Sequence, residues 1–284
     1  MRVCETVAIP SSDPAFFAAR VLREVGVQKP PVPLEPILEY FGLRLRYISN
    51  AEIEKMERIA GRNLSVSALL HRNGYTGTIL VREDDLGGRQ RMSVFHEIGH
   101  FDLPWHEHHD YLCDCGIDLS VGDKLEKEAF EYANRLMFPD AEFAKDLHSW
   151  DPSIQVINSL ADKYGASFSA TANRFVSKHL LPCAVVYLEG NSFQMKKRLP
   201  FTVKYCHKSS RFHRYWQPGE AVSHHPVLEF CLKENAQLRK PIPASVFGSS
   251  KSHEYEADVR PYGPGGLCVL LKEDSPQGTL PGLG

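Results

Sequence analysis

The chain has 284 residues, 43% apolar and 24% charged, with 33 basic side chains against 35 acidic ones and a formal net charge of −2. That length and composition suit a soluble globular protein of two domains, or one large domain plus a module, with a sizeable core. The near-neutral balance excludes a global polyanion binder and leaves only a local basic face open.

The opening MRVCETVAIPSSDP lacks the apolar stretch of a secretory leader, and no apolar run approaches the roughly 20 residues of a membrane helix. The seven cysteines are odd in number and irregular in spacing. These features predict reduced thiols, a cytoplasmic location and no membrane partner. Asp13-Pro14 then opens AFFAARVLREVG, with an N-cap residue, a proline for the first helical position and Gly26 at the far end, which predicts a helix. PPVP follows as rigid punctuation. A second helix is expected over about 34–41, stopped by Gly42, and LRLRYI at 43–48 alternates as a half-buried strand does.

SALLHRNGYTGTILVR (67–82) carries Asn73-Gly74 between two strand-like runs, a hairpin signal. A polar turn, EDDLGG, leads into RQRMSVFHEIGHF. Met92, Phe95 and Gly99 fall on one side of this stretch at helical spacing and Val94 and Ile98 on another, so a buried helix is expected. Residues 102–123 read as loop. Another helix is expected from about Leu125 to Phe138, ended by Pro139, and residues 153–179 read as helix, glycine turn, helix. After Leu181-Pro182 the texture changes. CAVVYLEGNSFQMKK suggests a hairpin, LCVLL near 267–271 a late strand, and DSPQGTLPGLG a disordered tail.

The stretch HEIGH fits the H-E-x-x-H pattern. On a helix, residues four apart lie on one face, so the imidazoles of His96 and His100 can reach one zinc ion. Glu97 lies about 100° further round and suits a general base rather than a ligand. A surface helix with two solvated histidines is the bland alternative. It is disfavoured by the apolar flanks, and by Gly99, which is costly in mid-helix unless something must approach closely. A zinc hydrolase needs a third protein ligand and one open position. Glu126 heads a face continued by Ala129, Phe130, Ala133 and Met137, whereas Glu128 heads a largely polar one with Glu131, Tyr132 and Arg135. Glu126 is therefore the favoured ligand and Glu128 the alternative, with Glu131 and Arg135 read as an exposed ion pair four residues apart.

RQRMSVFHEIGHF followed by EKEAFEYANRLMFP resembles the ImmA/IrrE family of metallopeptidases, through His96, Glu97, His100, Glu126, Glu128, Ala129, Tyr132, Ala133, Leu136 and Pro139. The resemblance spans roughly residues 14–180. It departs from the family pattern at Phe130, where the family has Asn, and at Asn134-Arg135, positions expected to face away from the metal. It implies an α+β chain: a zincin-like minimal peptidase domain at 1–150, with a small antiparallel sheet and the buried HExxH helix. A helix-turn-helix-like segment at 151–180, a GAF-like α/β sensory domain at 181–273 and the tail at 274–284 would follow. It further implies a cytoplasmic site-specific endopeptidase with Glu97 catalytic, and with His96, His100 and Glu126 binding zinc. Manganese is compatible with the same ligands. The implied substrate is a helix-turn-helix repressor, cleaved to derepress stress-response or mobile-element genes.

Tyr132 and the 106–111 cluster are candidate oxyanion donors, and the strand around 77–82 is a candidate template for an extended substrate. WHEHHDYLCDCG (105–116) reads chiefly as a polar surface loop, with a second metal site or a redox cysteine as minor alternatives. The second helix of 159–179 offers Asn173, Arg174 and Lys178, few for a DNA reader. Direct DNA binding is therefore secondary. In KSSRFHRYW (208–216), Phe212, Tyr215 and Trp216 interleave with basic residues, as does happen on nucleic-acid surfaces, although solvated loops are the simpler reading, as for KKR (196–198) and LRK (238–240). The competing functional readings are a DNA-binding regulator with a non-catalytic peptidase fold, and an antitoxin-type interaction protein.

Overall fold

A computed structural model describes residues 13–27, 29–60, 67–106, 110–113, 124–148, 151–190, 200–250 and 252–273. The chain divides into two compact units: Met1–Phe143 with Asp162–Ser167, and Ala144–Ala161 with Phe168–Gly284.

The first unit opens with α1 (Pro14–Glu24), capped by Asp13, whose carboxylate accepts from the Ala15 amide at 2.9 Å. Its inner stripe is Phe17, Ala18 and Val21. α2 (Glu35–Phe41) ends at Gly42, which takes the left-handed conformation (φ 64°) that terminates helices. β1 (Leu43–Ile48), α3 (Asn50–Ala60), β2 (Ala68–Asn73), β3 (Thr76–Arg82), α4 (Gly87–Asp102), β4 (Asp110–Cys113) and α5 (Lys124–Met137) follow. β2 and β3 form the expected hairpin about Asn73-Gly74.

The sheet of this unit has the order β1-β3-β2-β4 and is mixed, not antiparallel as expected. β1 runs parallel to β3, with Leu43 opposite Gly77 and Ile48 opposite Arg82. The cause is α3, which sequence reading passed over. A parallel pair needs a crossover, and α3 begins that connection. The same order places β3 inside the sheet, hydrogen-bonded on both sides, so the strand at 77–82 has no free edge for a substrate. Among the described residues the outer strands are β1 and β4.

α4 is buried along Met92–His100, as its all-round apolar pattern predicts. It packs on α5 and on β2 and β3. The expected loop at 102–123 contains β4. Cys115, the Cys-x-Cys reading built on it, the tail at 274–284 and the KKR run at 196–198 lie outside the described residues.

α6 (Asp140–His148), also unforeseen, begins directly after Pro139. α7 (Ile154–Tyr164) and α8 (Phe168–Lys178) are joined through Gly165 (φ 59°), giving the expected helix, glycine turn, helix.

The second unit is built on an antiparallel sheet of β7 (Ala221–Val222), β6 (Phe201–Lys208), β5 (Cys183–Glu189), β10 (Gly266–Lys272), β9 (Glu254–Tyr262) and β8 (Leu238–Pro243), in that order. β5 and β10 are central and buried on both faces, which explains their unbroken apolar runs. Ala184, Val186, Leu188, Leu267, Val269 and Leu271 face a core completed by Phe212, Trp216, Phe247 and Tyr255 and by α9 (Pro226–Glu234). Phe212 and Trp216 are fully buried there, so of the aromatics in the basic stretch 208–216 only Tyr215 stands exposed. α8 packs on β5 and β6. Asp258 on β9 accepts from the Ile154 amide at 2.8 Å, capping α7 across 104 residues of sequence. No helix among the described residues is long and apolar enough to cross a membrane.

Candidate metal centre

Two helices build the site. α4 presents His96 and His100 one turn apart, and α5 presents Glu126 from its first turn. The helices meet closely because Gly99 has no side chain: a Cβ there would lie 3.1 Å from the Ala129 carbonyl oxygen and 3.2 Å from Tyr132 Cδ1. Ala129, Ala133 and Met137, on the face predicted from Glu126, are fully buried.

The donors converge. His96 Nε2 and His100 Nε2 are 3.1 Å apart, His96 Nε2 is 3.1 Å from Glu126 Oε2, and His100 Nε2 is 3.3 Å from Glu126 Oε1. Zinc bonds of about 2.0–2.1 Å arranged as a tetrahedron separate their donors by roughly 3.3 Å. The spacings therefore fit one small divalent ion held by two imidazoles and a carboxylate. His96 and His100 are buried, while the Glu126 side chain is 34% exposed, which leaves the carboxylate side of the group facing solvent.

Burial pushes the His100 imidazole down to about 4, because a charged ring is poorly solvated there. Burial alone would raise the Glu126 carboxyl, but hydrogen bonds from His100 and His96 outweigh it and hold the group well below the usual carboxylate range. A neutral His100 ring and an ionised Glu126 carboxylate are the protonation states a divalent metal requires of these ligands.

Behind the triad lies a network that sequence reading missed. His106, expected in a polar surface loop, is buried, with its Nδ1 2.9 Å from His100 Nδ1 and its Nε2 3.3 Å from Glu128 Oε2. Trp105 donates its indole N–H to the same carboxylate oxygen. Glu128 is thus turned away from the ligand triad and held, 13% exposed, by Trp105 and His106. Burial tends to raise its carboxyl, and the hydrogen bonds from Trp105 and His106 bring it below the usual range. The only signal in the sequence is the Trp-His pair following α4, with no periodicity to place it.

Two expectations need correction. Tyr132, a candidate oxyanion donor, is fully buried and donates its hydroxyl to Asp102 Oδ2 at 2.9 Å, so that donor is committed. Asp102 in turn pairs with Arg20 of α1. Phe130, expected to face away from the metal, stands edge-on to His96 with ring centroids 6.4 Å apart. It lies four residues after Glu126, on the same face. Glu131 and Arg135 do form the expected pair at 3.2 Å. Glu97 is fully buried on α4 beside the first histidine.

Residues 38–176 match the IrrE N-terminal-like domain, a peptidase family. No curated protein matches the chain. Among solved structures, a Mycobacterium tuberculosis transcriptional regulator shares the fold, with a TM-score of 0.54 at 13% identity over 91% of this chain and 86% of that one.

Proposed function

We propose that the chain, whose residues 38–176 match the IrrE N-terminal-like domain, is a metal-dependent, site-specific endopeptidase that acts on a transcriptional repressor. The observation that carries this reading is the convergence of His96, His100 and Glu126 within ligand distance of one point. Zinc is the metal best suited to two imidazoles and a carboxylate, with manganese compatible. When bound, the metal supplies Lewis acidity toward a carbonyl oxygen and lowers the pKa of water to about 7.

The chain's own residues supply the rest. Glu97 accepts the proton of the attacking water and passes it to the leaving amine nitrogen. Phe130 walls the site beside His96 with an apolar ring. The substrate lies extended along an outer strand of the small sheet, either β4, which pairs only with β2 among the described residues, or β1, which pairs only with β3. The likeness to a Mycobacterium tuberculosis transcriptional regulator supports a role in gene control, with a helix-turn-helix repressor as substrate. Residues 181–273 then serve as a GAF-like sensory domain, and α7 and α8, within 151–180, as a helix-turn-helix-like segment. The work is done in the cytoplasm, on stress-response or mobile-element genes.

The test is metal content and cleavage together. Wild type should carry about one zinc per chain, Glu126→Ala should lose it, and Glu97→Gln should keep it while losing cleavage of the repressor. Zinc binding without cleavage of any repressor offered, combined with salt-sensitive binding to DNA, would favour a DNA-binding regulator with a non-catalytic peptidase fold.

A further inference from the structure

His106 contributes nothing to the ligand triad, yet it is as buried as the ligands and touches one of them. Its two ring nitrogens have different neighbours. Nε2 faces the Glu128 carboxylate at 3.3 Å, and Nδ1 faces Nδ1 of His100 at 2.9 Å. Trp105 fixes the same carboxylate oxygen with an indole N–H, which can only donate.

With a metal on His100 Nε2, these contacts leave one consistent arrangement of protons on neutral rings. An ionised carboxylate only accepts, so His106 must carry its proton on Nε2. Its Nδ1 is then bare and can only accept. His100 must therefore carry its proton on Nδ1, which leaves its Nε2 lone pair free of hydrogen on the side facing His96 and Glu126. The reverse arrangement would put the His100 proton on Nε2, the atom the metal needs, and would set the bare Nε2 of His106 against the Glu128 carboxylate, two acceptors at 3.3 Å. A doubly protonated His106 would satisfy both contacts, but it would place a charge in a buried position.

We propose that Glu128 and His106 are positioning residues that hold His100 in its metal-binding tautomer, with its proton on Nδ1 given to His106 and its Nε2 given to the metal. The inference rests on the metal-centre reading above and adds the device that holds one ligand in its binding form. A ligand histidine commonly gives its second N–H to a carboxylate or carbonyl. Here a second histidine is interposed, so the carboxylate acts through two rings. It also assigns a role to the second glutamate of the α5 motif, which the triad does not use.

The test uses the full-length protein with its histidines labelled with ¹⁵N, and zinc as the added metal. Long-range proton–nitrogen spectra of the zinc-loaded protein should show His106 protonated on Nε2 and His100 on Nδ1. A His106 protonated on Nδ1 overturns the proposal. Zinc affinity is then read by competition with a chromophoric chelator. His106→Phe, which keeps the bulk and loses the acceptor, should bind zinc about 10–100-fold more weakly, the usual loss when such a partner is removed. His106→Asn places an acceptor oxygen where Nδ1 stood and should recover most of that loss. A His106→Phe variant that binds zinc as wild type does, with His100→Ala binding none, would show His106 to be mere filling and would overturn the proposal while leaving the metal centre standing. Wild type and variants all failing to bind zinc would instead remove the metal centre and this inference with it. The spectra of wild type decide the matter even if the Phe variant fails to fold.

Discussion

Gly99 on α4 and Ala129 on α5 touch through their backbones at the point where the two ligand-bearing helices cross. A Cβ at Gly99 would stand 3.1 Å from the Ala129 oxygen and 3.2 Å from its Cα. Both neighbours are main chain in the middle of a helix and cannot swing aside. Gly99→Val should therefore push the helices apart, although replacing a mid-helix glycine by itself favours the helix by up to about 1 kcal/mol. Overpacking costs about 1–3 kcal/mol, so the net effect is destabilising. Because Glu126 rides on the displaced helix, zinc affinity should fall as well. Urea unfolding and chelator competition measure the two effects. A variant as stable and as tight as wild type would mean that α5 can shift freely and that the close crossing does not set the site.

The pH dependence of the metal-free protein follows from His100. Burial holds its imidazole at about 4 in the folded chain, against the ordinary 6.5 expected once unfolded. Between those values the unfolded chain takes up a proton that the folded chain refuses. Stability from this group is complete above about pH 6.5 and is lost as the pH falls toward 4. The shift corresponds to roughly 3 kcal/mol. His106, also lowered by burial, acts in the same direction. Glu126, held below the usual carboxylate range, extends the loss to lower pH. The urea midpoint of metal-stripped protein should drop between pH 7.5 and 5 with little change in slope, and a level midpoint would contradict it.

Arg72 on β2 should matter to the metal centre without touching it. Its guanidinium donates to the carbonyls of His100 and Phe101, the latter at 2.7 Å, and lies over the Phe101 ring at 4.8 Å. These are carbonyls of the last turn of α4, which a helix leaves without partners of its own. Arg72→Ala should cost on the order of 1–3 kcal/mol, the value of hydrogen bonds to a charged donor, and should loosen His100 enough to weaken zinc binding. Arg72→Lys keeps the charge but not the planar guanidinium, whose Nη2 meets both carbonyls while the group lies over Phe101, so it should fall between. Thermal melting with and without zinc reads both effects. Equal zinc-induced stabilisation in all three proteins would show that the end of α4 is held by something else.

The triad was legible because helical periodicity connects sequence to space. His96 and His100 four apart fix one face, and the apolar steps from Glu126 through Ala133 to Met137 separate it from Glu128. The same reasoning misjudged Tyr132, placed on a polar face but buried against Asp102, because a single buried hydroxyl leaves no mark on a pattern dominated by glutamate and arginine. It misjudged Phe130 by treating a departure from the family motif as distant from the metal, when its spacing from Glu126 already placed it near. His106 was beyond reach. It sits in a short irregular connection where no period operates, and only the fold brings it to His100. The parallel pairing of β1 with β3 was hidden for a related reason, since register between distant strands is set by the crossover and not by either strand.

Asp258 offers a test confined to the second unit. It is 4% exposed and accepts from the Ile154 amide at 2.8 Å and from Gln237 Nε2 at 2.9 Å. Asp258→Ala strands the Ile154 amide in a buried place, at a cost of about 1–3 kcal/mol, whereas the amide of exposed Gln237 can turn to water at a smaller cost. Asp258→Asn keeps one acceptor oxygen but turns an amide N–H₂ toward the other donor, so it should lose one contact and retain the other. The order of stability expected in urea is therefore wild type, then Asn, then Ala. The metal ligands all belong to the first unit. Zinc per folded chain should thus stay near one in both variants. An Asn variant as stable as wild type would show that one of the two donors finds a partner elsewhere, and loss of zinc from folded Asp258→Ala protein would show that the cap on α7 supports the metal centre as well.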